Sequence, residues 1–499
     1  MKYLIGVITL LLLIVAVVYG LLFTQPGNDF LRPILEKKIA QQVPLPTHLK
    51  RFSLRPDRFD VALEIGEKTQ IEAKGTMSLL SRSVDAVYSV NIADLADLQK
   101  LIGQKLQGPF HTQGSVKGDQ KLMKIHGTAQ AAGAQTDYDL ALRDFKPENL
   151  TAQINHLHID KLLYMIGQPI YAQGLVDVKA DIPSLVMDHL KGDIHTRIYK
   201  GLLHPKPLKR DFNLSIPARF TFKGDIHTRL AETKAISRVD FKTLVADLHT
   251  KALTYDIAKG ALSTDYRLYV PNLDRLYFVT QQHMKGKITV TGKVESSKKG
   301  LLATAHSDTL GGAVDAQVHN NKIKATVKNI QTVALTDMLL YPHIFDSKAN
   351  LNLDYDTVSK KGKLHAELLN GQILPNKLSF MLRQMANFDI TREVYKKTTL
   401  DSRIDDKVLH NDLYMKSRLT EIVSKNGLVD LGRQYIDTTI DIKIRKTFIP
   451  VTLKGKLTDP KIKVDTKGLI KARAQKELEK RLPANLKNSP AGDLIKNLF

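Results

Sequence analysis

Ile440-Asp441-Ile442-Lys443-Ile444 sets three β-branched apolar side chains on one side of an extended chain and two charged ones on the other. Side chains of a strand alternate between faces, so a period of two marks a strand with one wet face and one apolar face. The same period runs through Val61, Leu63 and Ile65, and through Val84, Ala86, Tyr88, Val90 and Ile92. It returns in Ile288, Val290 and Val294, and in Leu351, Leu353 and Tyr355. Turn residues at Ser296–Gly300 and Ser359–Gly362 separate such runs. The chain beyond the first fifty or so residues therefore reads as mostly β, with on the order of 30 strands at ~4.8 Å spacing in a long antiparallel or mixed sheet. A sheet of that length is expected to curl. Its apolar face then closes on itself, on short helices or around an apolar ligand, and the period leaves these three outcomes open.

Four patches at helical spacing interrupt the strands. Ile92, Leu95, Leu98, Leu101 and Ile102 precede a strand beginning near Phe110, and Ile159, Leu162, Leu163 and Ile166 precede Gly174–Ala180. Leu273, Leu276, Tyr277 and Val279 precede Lys287–Val294, and Val333, Leu335, Met338 and Leu339 precede Lys348–Tyr355. A heptapeptide, Lys-Gly-Asp-Ile-His-Thr-Arg, occurs at Lys191–Arg197 and again at Lys223–Arg229. Both regularities predict a quasi-repetitive sheet with short helices between strands.

The N-terminus has another character. Tyr3 to Phe23, with Leu11 at its middle, carries no charge over 21 residues. At 1.5 Å per residue this makes ~31 Å of helix, enough to cross a bilayer. It predicts an uncleaved single-pass anchor whose very short leading end favours export of the bulk of the chain, although Lys2 before the span and Arg32, Lys37 and Lys38 after it leave the orientation open by charge. Gln25-Pro26-Gly27-Asn28 then signals a turn and a helix start. Phe30, Leu31, Ile34, Leu35 and Ile39 follow at helical spacing, predicting a short amphipathic helix against the membrane, capping the first sheet or packed on the core. The expected organisation is an anchor at 1–24, a linker helix at 25–48, a quasi-repetitive β region at 49–360, a second β region at 361–466, and a basic helix with a tail at 467–499.

Three stretches near the C-terminus carry a family resemblance. They are Glu367-Leu368-Leu369-Asn370-Gly371-Gln372-Ile373, with an Asn-Gly turn, and Val408–Met415 continued by Asn426-Gly427-Leu428-Val429-Asp430-Leu431. The third is Ile449–Lys461, which contains Gly455-Lys456-Leu457-Thr458-Asp459-Pro460. In order and spacing, together with the anchor, they resemble the AsmA family, including the TamB-like envelope proteins of Gram-negative bacteria. The resemblance implies an inner-membrane protein whose bulk lies in the periplasm, where a lipid-accessible β-groove moves phospholipid toward the outer membrane. It brings no catalytic residues with it.

Composition agrees with an envelope protein and narrows the alternatives. The 499 residues contain no Cys and no Trp, which excludes disulfides, thiolate metal sites and Cys nucleophiles. The net charge of +23 calls for anionic partners. Basic residues spread along strands with only 6% aromatics favour anionic lipid over nucleic acid. Lys461–Arg481 concentrates this charge around Leu469, Ile470, Ala474, Leu478 and Leu482, predicting a basic amphipathic helix. His156-Leu157-His158-Ile159-Asp160 offers possible metal ligands on one strand face, and Asp354-Tyr355-Asp356-Thr357-Val358 matches a phosphotransferase signature. Ordinary alternation accounts for both. No enzyme, cofactor or metal site is expected.

The candidate lipid groove consists of Ile288, Val290, Val294, Leu351, Leu353, Ile440, Ile442 and Ile444. The partners expected are phospholipid or another envelope lipid, the inner membrane, and an outer-membrane or periplasmic assembly protein. The competing reading is an assembly factor that handles outer-membrane β-barrel proteins by sheet-edge pairing.

Overall fold

The computed structural model describes residues 22–43 and 45–465. The predicted span from Tyr3 to Phe23 therefore lies outside the described residues except for Leu22 and Phe23, as does the basic helix beyond Asp465. Among the described residues no helix is long and apolar enough to cross a membrane. The chain divides into two compact units, Met1–Thr264 and Asp265–Phe499.

In the first unit, strands run from Thr47–Leu54 to Asp247–Asp256, each hydrogen-bonded to the next in sequence and always antiparallel. The second unit repeats this meander from Ile288–Ser297 to Asp459–Val464. The strand Ala261–Val270 holds the point of division. The mostly-β reading stands; of the antiparallel and mixed alternatives, the described pairings are all antiparallel.

Antiparallel strands reverse direction at every step, so every second connection emerges at the same strand ends. Within each unit the connections that carry an α-helix use those ends, while the short 3-10 turn Met187–His189 lies at the opposite ends. In the first unit the α-helical connections span residues 93–109, 159–171 and 204–220; in the second, 271–287, 332–344 and 374–393. Their backbones join neighbours: Gln107 N–H donates to Met165 O at 2.8 Å, and Lys285 N–H to Met338 O at 2.8 Å. The helices Pro205–Phe212 and Lys377–Ala386 add to the four patches expected from spacing. The second is marked locally by a reciprocal cap in which Asn376 Oδ1 accepts from Ser379 N–H, while Ser379 Oγ accepts from Asn376 N–H.

Four of these connections follow a bulge at which one residue takes a left-handed conformation: His156, Lys200, Asn329 and Asn370. A bulge twists the strand and re-aims the chain, here just before it leaves the sheet. Two readings change as a result. Asn370-Gly371 is a bulge inside the strand Lys361–Ile373, opposite Phe345–Asp356, not a turn, and the Phe345 ring fills the space where a Cβ on Gly371 would stand. The bulge at His156 also interrupts the regular alternation assumed for His156 and His158.

The helix Gln25–Gln42 starts at the predicted place, capped by Thr24 Oγ1, which accepts from Gly27 N–H. It covers the outer edge of the strand Thr47–Leu54, but through a polar stripe. Asn28 bonds both the amide and the carbonyl of Leu54, and Arg32 donates to the carbonyls of Leu49 and Lys50. Glu36 accepts from the Leu49 amide. Open strand edges expose unpaired backbone groups, so this stripe takes the place of a missing neighbour strand. Phe30 and Ile34 of the expected apolar stripe are exposed.

Candidate functional site: an apolar sheet face

The eight predicted groove residues fall on one face of the second unit. Cross-strand pairs connect them: Leu351 lies opposite Ala366, Ala366 opposite Leu400, Leu400 opposite Leu413, Leu413 opposite Ser424, and Ser424 opposite Ile440. Leu353 continues through Ala325, Ala316 and Ala305 on the other side. Val294 pairs with Ala303 on this face, and Ile288 and Val290 share its parity.

The face is not uniform. Ile442 is 0% exposed and Ile444 5%, in a closed core with Leu382, Ile390, Tyr395, Met415, Ile422, Ile449 and Val451. The helix Lys377–Ala386 supplies Leu382 to this core and lays Leu378 and Met385 against it. Burial pushes the Tyr395 phenol up to about 12, and its oxygen accepts from Thr420 Oγ1. Ile288, Val290, Val294, Leu351, Leu353 and Ile440 are only half-buried. Another cluster, Val327, Ile330 and Ala349 with Leu335 beside it, forms where the helix Thr332–Met338 meets the strand ends. Helices thus close the face locally: Ile440 and Leu351 pack at the margins of these clusters, and Ile288, Val290, Val294 and Leu353 lie outside them.

The first unit has the same division. Ile65, Ile92, Leu95 and Leu98 form a core at the helix-bearing ends, and Ala180, Ile182 and Leu190 form one at the opposite ends. Between them Ile125, Leu140, Ile154, Val178, Ile194 and Ile226 are half-buried on one face. Gly114 and Gly127 lie side by side on that face, with Tyr88 and Tyr138 across them from the flanking strands. The two phenols meet over the glycines at 2.5 Å, and Tyr138 also bonds Thr112 Oγ1 at 2.7 Å. Burial, then this hydrogen bond, pushes Tyr88 up to about 12. A Cβ on Gly127 would stand 2.6 Å from the Tyr88 oxygen. The sequence shows Tyr88 on the apolar parity but cannot show a partner 50 residues away.

The opposite face is charged and laced with cross-strand pairs, among them Lys117–Asp85, His126–Asp139, His365–Asp401 and Lys454–Asp437. Asp356, from the phosphotransferase-like signature, caps a turn: it accepts from the amides of Val358 and Ser359 and from Asn321 Nδ2. No family model, curated protein or solved structure matches the chain.

Proposed function

We propose that the half-buried apolar face binds acyl chains, and that the protein is an envelope component carrying phospholipid passively between the inner and outer membranes. One observation carries this reading: helices cover the apolar face only near strand ends, while aliphatic side chains between those ends remain partly open in both units. Each buried methylene of a bound chain contributes about 0.8 kcal/mol, so a run of such positions holds a chain without a deep pocket. Head groups stay in water beside a protein of net charge +23, which suits anionic lipid. The uncharged segment from Tyr3 to Phe23 serves as the inner-membrane anchor in this reading, and the resemblance to the AsmA family points the same way. The rival mechanism, strand addition at a sheet edge, has less to work with at the first strand, whose edge is occupied by Asn28, Arg32 and Glu36.

The test is gentle-detergent purification of the full chain followed by lipid mass spectrometry, with Ile288→Asp and Leu353→Asp as comparison variants. Phospholipid retained by the parent and lost from folded variants supports carriage. A folded, monodisperse parent without lipid overturns it.

A further inference from the structure

The two copies of Lys-Gly-Asp-Ile-His-Thr-Arg are hydrogen-bonded strand partners. Their register centres on His195 opposite His227, with Asp193 opposite Arg229 and Arg197 opposite Asp225, so the repeat is arranged about a local pseudo-twofold. The imidazoles stack with centroids 3.9 Å apart and planes 15° from parallel. Both direct Nε2 to one carboxylate: His195 lies 3.1 Å from Asp225 Oδ2, and His227 lies 2.9 Å from Asp225 Oδ1. Among the described residues, this is the one group of three or more His, Asp or Glu side chains whose ligand atoms converge, all within 4.8 Å of one another. The other His–Asp pairs of the charged face, such as His126–Asp139, bring one imidazole to the carboxylate.

We infer that His195, Asp225 and His227 form a binding site for a divalent transition-metal ion, with Zn²⁺ as the best fit. Two imidazole nitrogens and one carboxylate oxygen are borderline ligands suited to zinc, and three protein ligands leave a fourth position for water. Bonds of ~2.1 Å in a tetrahedron place ligand atoms about 3.4 Å apart, so the two histidine–carboxylate separations need to open only slightly. The three ligands use the strand geometry directly. Asp225 and His227 are two residues apart and share a face, and His195 stands across the ladder on the same face. Asp225 also faces Arg197, whose Nε lies 3.8 Å away, and the flanking guanidinium competes with a metal for the carboxylate. An ion here adds a side-chain tie between Lys191–Leu203 and Thr221–Ala231, strands already joined by their backbone ladder and by the connection at residues 204–220.

The full chain, freed of metal by chelator and of any affinity tag, is titrated with ZnCl₂ against a chromogenic chelator, then with CoCl₂ under visible spectroscopy. The expected result is one tight equivalent and a visible cobalt band. The variant His195→Ala/His227→Ala loses the band and weakens binding more than roughly a hundredfold, exceeding what an outer-shell change causes. Arg197→Gln tightens it, and His126→Ala, at a single-histidine pair, leaves it unchanged. Unchanged circular dichroism in each variant excludes unfolding as the cause. No saturable equivalent in the parent, or one that survives the double substitution, overturns the assignment.

Discussion

The Asn28 side-chain amide closes on the peptide of Leu54 as a β-bridge would, donating to its carbonyl at 3.0 Å and accepting from its amide at 3.0 Å. Arg32 and Glu36 extend the contact one and two helical turns further, which makes the helix a lid for the first sheet edge. Asn28→Ala leaves the Leu54 groups partnerless beneath the helix and is expected to cost about 1–3 kcal/mol. Urea denaturation measures the loss, and sedimentation should show increased self-association as the edge opens.

The helix-covered and uncovered parts of the apolar face should respond differently to truncation. Ile442→Ala empties space in a core with Leu382 and Ile449, and should cost about 2–5 kcal/mol. Leu353→Ala removes a half-buried side chain and should cost less than about 2 kcal/mol. Equal losses in denaturation experiments would show that the whole face is closed.

Gly371 is needed for what stands beside it. A Cβ there would come within 2.1 Å of the Phe345 ring, so Gly371→Ala should destabilise by about 1–3 kcal/mol through overpacking. Adding Phe345→Leu should recover part of the loss. A strictly additive double variant, read from thermal unfolding, would rule out this steric account.

Stability should also depend on pH with a predictable sign. Hydrogen bonds to Asp315 and then Asp308 raise His306 above its usual 6.5. The raised folded value means its contribution is complete below the unfolded pKa and fades as pH rises through the folded one. His306→Gln should therefore cost more at about pH 5.5 than at about pH 8. A proton NMR titration midpoint at or below 6.5 would contradict the ion-pair geometry. Asp356 works in the opposite direction: the Ser359 amide foremost holds it below its usual 3.8, so its contribution is present above the unfolded pKa and lost as pH falls through the folded value.

Much of the architecture was legible because a strand records its faces locally. The alternation at Val84–Ile92, Leu351–Tyr355 and Ile440–Ile444 identifies strands, and the eight residues expected to line a groove do share a face. The apolar patches at Leu95, Ile159, Leu273 and Val333 do become helices between strands. Cover is less legible. Ile440 and Ile442 have the same local pattern, but only Ile442 is sealed by the helix Lys377–Ala386. The expected apolar stripe of the first helix leaves Phe30 and Ile34 exposed because backbone groups of an edge strand recruit Asn28, Arg32 and Glu36 instead.

Sequence alone determined the strand period, reversals such as Ser296–Gly300 and Ser359–Gly362 and the existence of a repeated heptapeptide, since these depend on neighbours along the chain. Tertiary structure decided which residues meet across it. It brought Tyr88 to Tyr138 over two glycines and set His195 against His227 with Asp225 between. It also placed the connections that carry α-helices at common strand ends within each unit. The reason is geometric: periodicity assigns a side chain to a face, whereas only the strand register and the packed connections fix what else occupies that face.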